Sequence, residues 1–305
     1  MPIPNYQQLM LPLLKVLSDK KEHKTKDTIE ILSSQFNLSD EERSALLEGG
    51  QPIFNNRVGW ARTYLKKAGL IDNPKRGVLL ITSRGSEVLG QNPKTIDVKF
   101  LLQFPEFIEF VSPSNTENQN KTSILISEQT EQTPEEIFDA AYGEIRTSLA
   151  SELLNKVVSM PPVFFEKLVV ELLVEMGYGG SIKDAGKAIG KTGDEGIDGT
   201  IKEDKLGLDI IYIQAKRWQP GNVVGRPELH KFVGALAGQG AKKGVFITTS
   251  SFTKEALEYT PKNETKIVLI DGNGLAQYMI DYNIGVTTQK SYELKRMDID
   301  YFGED

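Results

Sequence analysis

The stretch "LGLDIIYIQAKRW", residues 206–218, restricts the possible folds of this chain more than any other. Side chains alternate across a β-strand, so Leu208, Ile210 and Tyr212 share one face while Ile211 and Ile213 share the other. A strand that is apolar on both faces needs cover on both, which places it inside a sheet flanked by helices. The surrounding sequence supplies that cover. "PPVFFEKLVVELLVEMGYGG" (161–180) has proline in its first turn and glycine after its last, and helices also fit at 226–238, 253–259 and 273–281. Further strands fit near 197–202, 243–249 and 266–270, beside the central one at 208–216. This alternation predicts an α/β domain with a central mixed sheet flanked by helices.

The amino-terminal part is patterned differently. Residues 6–17 and 26–36 have helical apolar spacing, with Pro12 a blemish in the first. "NLSDEERSALL" opens with Ser39 and Glu42, a capping box that starts another helix. Across 55–71, Val58, Ala61, Tyr64, Leu65 and Ala68 fall on one helical face, and Arg57, Arg62, Lys66 and Lys67 on others. "DNPKRG" is turn chemistry between "LI" and "VLLIT", which makes a hairpin with Lys75 and Arg76 near its tip. Helices followed by a basic-tipped hairpin predict a mostly α winged-helix domain over 1–111. In that architecture the last helix enters the major groove and the wing meets backbone phosphate. Asn55, Arg57, Arg62, Lys66, Lys75 and Arg76 are the candidate DNA contacts.

Charge supports this placement although the chain as a whole carries −6. Residues 1–92 hold 13 Lys and Arg against 10 Asp and Glu, and 55–84 holds seven basic residues against the single acid Asp72. Association follows the local field of the contact face more than the total. Residues 93–111 predict one more helix below the wing. Residues 112–133 are polar and aperiodic apart from "ILI" (124–126), and are expected to form a linker. A connector helix over 134–158, opened by "TPEE", then leads the α/β domain, which extends over 134–305.

Several chemistries are excluded by composition. There are no cysteines and only two histidines, His23 and His230, so thiolate zinc sites, disulfides and imidazole clusters are ruled out. Any metal is then a hard ion on oxygen ligands, such as Mg²⁺. "GKAIGKT" (186–192) has three residues between its glycines where a phosphate-binding loop needs four, and no helix follows, so no nucleotide cofactor is expected. No stretch is apolar enough for a membrane span and the start lacks a signal-peptide pattern, so the expected location is the cytoplasm.

Period two also places Gln214 and Lys216 on one face at the end of the central strand, where ligands collect in α/β sheets. Asp198 starts the neighbouring strand. If 197–202 and 208–216 pair through the turn "EDKLG", the two ends converge. Glu166 lies in line with Val169, Val170 and Leu173, the helix side turned to the sheet. A carboxylate, an amide oxygen and a lysine gathered there suit metal-assisted phosphodiester hydrolysis. Asp198, Gln214 Oε1 and the Ala215 carbonyl would hold the ion, and Lys216 would orient water and offset charge on the phosphorane. Taken singly, each residue has an ordinary role as a turn, strand exit or helix-dipole acid. Thr248, Thr249, Ser250 and Ser251 end a strand on the same edge, either to bond phosphate or to cap the next helix. Trp60 and Trp218 are expected to pack, and His23 and His230 to lie at the surface.

Four segments carry a family resemblance: "FFEKLVVELLVEMGY", "GDEGIDGTI", "IYIQAKRW" and "FVGALAGQGAKKGVFITTSSFTKEA". Together they resemble the catalytic domain of Mrr-type restriction endonucleases, the branch of the PD-(D/E)xK nucleases in which glutamine replaces the acid of the last triplet. "RVGWARTYLKKAGLI…PKRGVLLIT" resembles the winged-helix domain of that family. The resemblance implies a restriction-endonuclease-like fold and Mg²⁺-dependent cleavage of double-stranded DNA, in many relatives dependent on methylated bases. By position it places the metal aspartate at Asp198, the QxK at Gln214 and Lys216, and the helix glutamate at Glu166. The amide removes a unit charge from the metal site, so Mg²⁺ should bind poorly until DNA phosphate completes it. Cutting two strands takes two active centres, and a homodimer or homotetramer follows. The competing reading is a winged-helix regulator or sensor whose α/β domain has lost activity.

Overall fold

A computed structural model describes residues 3–111, 131–179, 196–219, 221–259 and 265–295. The segment 186–192 and residues 112–130 of the expected linker, with their "ILI", lie outside the described residues. The chain forms two compact units, one holding the chain up to Gly143 together with the segment from Leu294 on, and one running from Glu144 to Glu293.

In the first unit, α1 (Tyr6–Val16), a two-residue strand β1 (His23–Lys24), α2 (Thr25–Gln35) and α3 (Asp40–Ser44) precede α4 (Ile53–Lys67). Ser39 and Glu42 form the capping box expected of them, and Asn5 with Gln8 forms another at α1. Pro12 is accommodated inside α1. The wing is β2 (Ile71–Asp72) paired antiparallel with β3 (Val78–Ile81), and β1 adds to the other edge of β3. Leu9, Leu13 and Leu14 of α1 pack with Phe54, Val58, Ala61 and Leu65 of α4 and Leu79 of the wing. Each leucine, valine or phenylalanine among them contributes roughly 1.5–3 kcal/mol by leaving water.

The expected single helix over 93–111 is two. After α5 (Ser83–Gly90), the chain forms α6 (Val98–Leu101) and α7 (Pro105–Val111). Pro105 cannot donate the hydrogen bond that would continue α6, and its ring restricts Phe104, so it begins a new helix instead.

The connector, α8 (Pro134–Ser159), opens at "TPEE" as expected. Thr133, although it is the last residue of the expected linker, is fully buried and forms a capping box with Glu136. Its N–H donates to Glu136 Oε2 at 2.8 Å, and the Glu136 N–H donates to Thr133 Oγ1 at 3.3 Å.

The second unit holds α9 (Pro162–Glu175), β4 (Gly199–Lys202), β5 (Ile210–Lys216), α10 (Arg226–Gly238), β6 (Lys243–Thr248), α11 (Lys254–Leu257), β7 (Lys266–Ile270) and α12 (Gly272–Asp281). The sheet order is β4-β5-β6-β7, antiparallel at the first pair and parallel at the others, hence mixed. On one face Ile211, Ile213, Val245 and Ile247 pack with apolar residues of α8, α9 and α12. On the other, Tyr212 and Phe246 meet Leu229, Phe232 and Leu236 of α10. Leu208 is not part of the strand and is 84% exposed. The Asp204 side chain accepts from the N–H groups of Leu206 and Gly207, which draws this stretch into the turn. Among the described residues, no helix is long and apolar enough to cross a membrane.

Candidate active site

Strand register builds the site. Gly199 pairs with Ile213, so Asp198 stands opposite Gln214, and the Asp198 N–H donates to Ile213 O at 2.8 Å. Asp198 Oδ2 accepts from the Ala215 N–H at 2.7 Å, so the carboxylate supplies the partner that a longer β4 would have provided. Gln214 Nε2 donates to the same oxygen. Gln214 is buried, so this bond satisfies an amide that could not remain unpaired there without penalty. Gly196 has φ +113°, and a Cβ at that position would lie 3.3 Å from Gln214 Oε1. A glycine therefore lets the chain turn close over the amide. Among the described residues, Asp198 Oδ1 accepts no hydrogen bond.

Lys216 lies two residues along β5 on the face of Gln214, and is half-buried. Among the described residues its ammonium has no hydrogen bond or ion pair. Glu166 projects from α9, which lies against β5 and buries Val169, Val170 and Leu173. Burial holds its carboxyl above the usual range, and the negative charge of Asp198 raises it further. The structure thus joins Asp198, Gln214 and Ala215 by direct bonds, places Lys216 beside them by register, and brings Glu166 within their field. The expectation of Gln214 Oε1 beside the carboxylate is met the other way round: the amide presents its NH₂ to Asp198. Ligation through Oε1 requires the amide to turn.

The donor set fits a hard divalent cation. Two carboxylates repel each other across the site, Asp198 keeps one oxygen unbonded among the described residues, and a neutral amide stands where a third acid could. Consistently, no group of three Asp, Glu, His or Cys is gathered anywhere among the described residues.

The hydroxyls of residues 248–250 neither cap the following helix nor face solvent. Thr253 caps α11, whereas Thr248, Thr249 and Ser250 are buried and bond to residues 216–222. Trp218 packs against the α10-side cluster and Trp60 against the core of the first unit, as expected. His23 bonds Asp19, and His230 is exposed beside Tyr259.

In the first unit α4 presents three faces. Phe54, Val58, Ala61 and Leu65 form the core face. Asn56, Arg57 and Trp60 bond the start of α8. Thr133 Oγ1 donates to Asn56 Oδ1 at 2.7 Å, Arg57 Nε to Glu136 Oε1 at 2.7 Å, and Trp60 Nε1 to Glu135 Oε2 at 2.5 Å. Arg57 Nη1 also donates to the Ile3 and Pro4 carbonyls. A buried carboxylate and two carbonyls already engage the Arg57 guanidinium, which sets it apart from the other residues expected to contact DNA. The third face carries Asn55, Arg62 and Lys66 at helical spacing. Arg62 is half-buried, and burial lowers its pKa. Lys75 and Arg76 are exposed at the hairpin turn, with Glu22 3.9 Å from Lys75.

A mixed sheet with an aspartate opposite Gln-x-Lys, in a chain that also carries a winged helix, defines a DNA-cleaving enzyme of the restriction-endonuclease class. Residues 157–279 match the family described as Mrr_cat, restriction endonuclease, and residues 6–91 match the Mrr N-terminal domain. The chain is 36% identical over 316 aligned residues to the type IV methyl-directed restriction enzyme EcoKMrr of Escherichia coli (strain K12), covering 99% of this chain and 100% of that one. It belongs to the Mrr-type restriction endonucleases and is a type IV-like restriction endodeoxyribonuclease. Among solved structures it is similar to the DNA modification-dependent restriction endonuclease AspBHI, with TM-score 0.36 and 16% identity over 46% of this chain and 36% of that one. It is also similar to the MspJI restriction endonuclease in complex with a 27-mer oligonucleotide, with TM-score 0.35 and 19% identity over 68% and 49%. The chain spans less than half the length of either.

Proposed function

We propose that this enzyme hydrolyses phosphodiester bonds of double-stranded DNA with Mg²⁺ held by Asp198, Gln214 and the Ala215 carbonyl, and that methylated bases direct it. The observation that carries the reading is the pairing of Asp198 with Gln214 across β4 and β5, with Lys216 on the same face. A bound Mg²⁺ supplies a Lewis acid to the phosphate oxygens. Lys216 orients the attacking water and offsets charge on the phosphorane, its ammonium having no other partner among the described residues. Glu166 holds the remaining acidic position, where its raised pKa keeps it poised to take a proton or to meet the ion. Methyl direction is suggested by the name of the 36%-identical relative.

In this reading residues 1–111 bind DNA through Asn55, Arg62, Lys66, Lys75 and Arg76, and residues from 134 onward carry the chemistry. A half-buried guanidinium with no carboxylate partner among the described residues, as at Arg62, favours an anionic partner such as phosphate. Two centres are needed for two strands, so the working form is a homodimer or homotetramer. A cysteine-free chain suits the reducing cytoplasm. The test is digestion of methylated and unmethylated plasmid with Mg²⁺. Cutting confined to methylated plasmid supports the reading, and equal cutting of both removes the methyl direction.

A further inference from the structure

We infer that Thr248 and Thr249 are positioning residues for Lys216, acting as a buried hydroxyl clamp on the segment that leaves the active-site strand. The inference rests on the proposed catalytic role of Lys216. A lysine carries its charge on four rotatable methylenes, so its ammonium is delivered reproducibly only if the backbone beneath it is fixed.

The backbone is held where β5 ends. The Lys216 carbonyl accepts from Thr248 Oγ1 at 2.9 Å, the Trp218 N–H at 3.1 Å and the Thr249 N–H at 3.2 Å. Thr249 Oγ1 accepts from the Trp218 N–H at 2.9 Å and donates to the Trp218 carbonyl at 2.7 Å, so one hydroxyl satisfies both polar groups of one residue. Ser250 Oγ donates to the Asn222 carbonyl, and Arg217 Nη1 donates to the Val158 carbonyl at 2.6 Å. Thr248 and Thr249 are 0% and 1% exposed. Buried hydroxyls that bond one short segment repeatedly have no solubility role, and apolar packing alone would favour valine at both positions. The first turn of α12 closes over them: Gly272 N–H donates to Ser250 O at 2.7 Å, and a Cβ on Gly272 would lie 2.5 Å from Thr249 O.

The test compares Thr248→Val, which keeps the shape and loses the hydroxyl, with Thr248→Ser, which keeps the hydroxyl. Displacing a reacting group by about 1 Å is enough for a rate loss of about 10²-fold. Thr248→Val should therefore lose about that much kcat in Mg²⁺-dependent cleavage while its DNA affinity, read by fluorescence anisotropy without metal, stays within about twofold. Thr248→Ser should restore most of the rate. The inference is overturned if Thr248→Val cuts at the parent rate, if serine is as impaired as valine, or if kcat and DNA affinity fall together. Should Thr248→Val not fold, Thr249→Val and Thr249→Ser are judged by the same criteria. Lys216→Ala is the control that separates the two claims. If it still cuts, the role of Lys216 fails; if it is inactive while Thr248→Val is fully active, only the clamp fails.

Discussion

Each unit contains a knot of buried polar side chains at a helix start or a strand end, and these two knots leave their charges in opposite states. At the start of α8, Arg57 and Glu136 neutralise each other, Trp60 engages Glu135, and Asn56 engages Thr133. At the end of β5, the clamp bonds only backbone and hydroxyl groups, and the ammonium of Lys216 next to it has no partner among the described residues. The first knot absorbs its ions to fasten a helix. The second fixes a backbone so that an ion remains available. Both Lys216 and Arg57 are half-buried close to carboxylates, so charge alone does not distinguish a structural cation from a chemical one; whether a partner engages it does.

The largest effects should break this contrast cleanly. Lys216→Ala should reduce cleavage by about 10³-fold or more while leaving DNA binding and unfolding temperature close to those of the parent, since it removes a charge aimed at the transition state. Cleavage assays paired with thermal melts decide it, and a loss of stability comparable to the loss of rate would refute the contrast. Arg57→Ala should do the reverse. Removing one member of a buried pair strands the other, at roughly 3–5 kcal/mol. Urea unfolding of Arg57→Ala should show that loss, and an unchanged midpoint would mean that the Arg57–Glu136 pair fastens nothing.

How far each knot was legible in the sequence follows from its reach. The two-sided apolar run Ile210–Ile213 was enough to place β5 inside a sheet, and period two then aligned Gln214 with Lys216. Asp198 could be paired with them because only a short turn separates the strands. The partner of Arg57 lies 79 residues away, and Glu136 in a first helical turn already has a sufficient local explanation in the helix dipole. Its basic neighbours made Arg57 look like one of a DNA-contacting set, and nothing local separated the α8-facing side of α4 from the exposed side. Thr248 and Thr249 stand out in the sequence as hydroxyls at a strand end, but their bonds run to residues more than 30 positions earlier, beyond any local choice between cap and phosphate ligand. Pro105, by contrast, was a visible helix start that the apolar pattern around it concealed.

Gln214→Glu sharpens the comparison at intermediate size. It places a second carboxylate directly opposite Asp198 and removes the Nε2 donor, so the unloaded site gains repulsion and loses a hydrogen bond. A divalent cation relieves both. Calorimetric titration without DNA should show Mg²⁺ binding tightened on the order of tenfold relative to the parent, in keeping with an added ligand charge. Tight Mg²⁺ binding by the parent itself would contradict the idea that DNA phosphate completes a charge-poor site.

The smallest effect concerns the exposed face of α4. Arg62→Ala should weaken DNA binding with little loss of stability, because among the described residues no carboxylate is stranded when its guanidinium is removed. If Arg62 meets one backbone phosphate, the slope of log affinity against log salt should fall by about 1, and uniformly across DNA sequences. Arg57→Ala, measured the same way at a temperature where it stays folded, should leave the slope unchanged. The pair of slopes tests the facing of α4 directly. A slope that falls for Arg57 and not for Arg62 would mean that the acidic start of α8 gives way to DNA, and that the first knot is a competitor for the nucleic acid instead of a fastening.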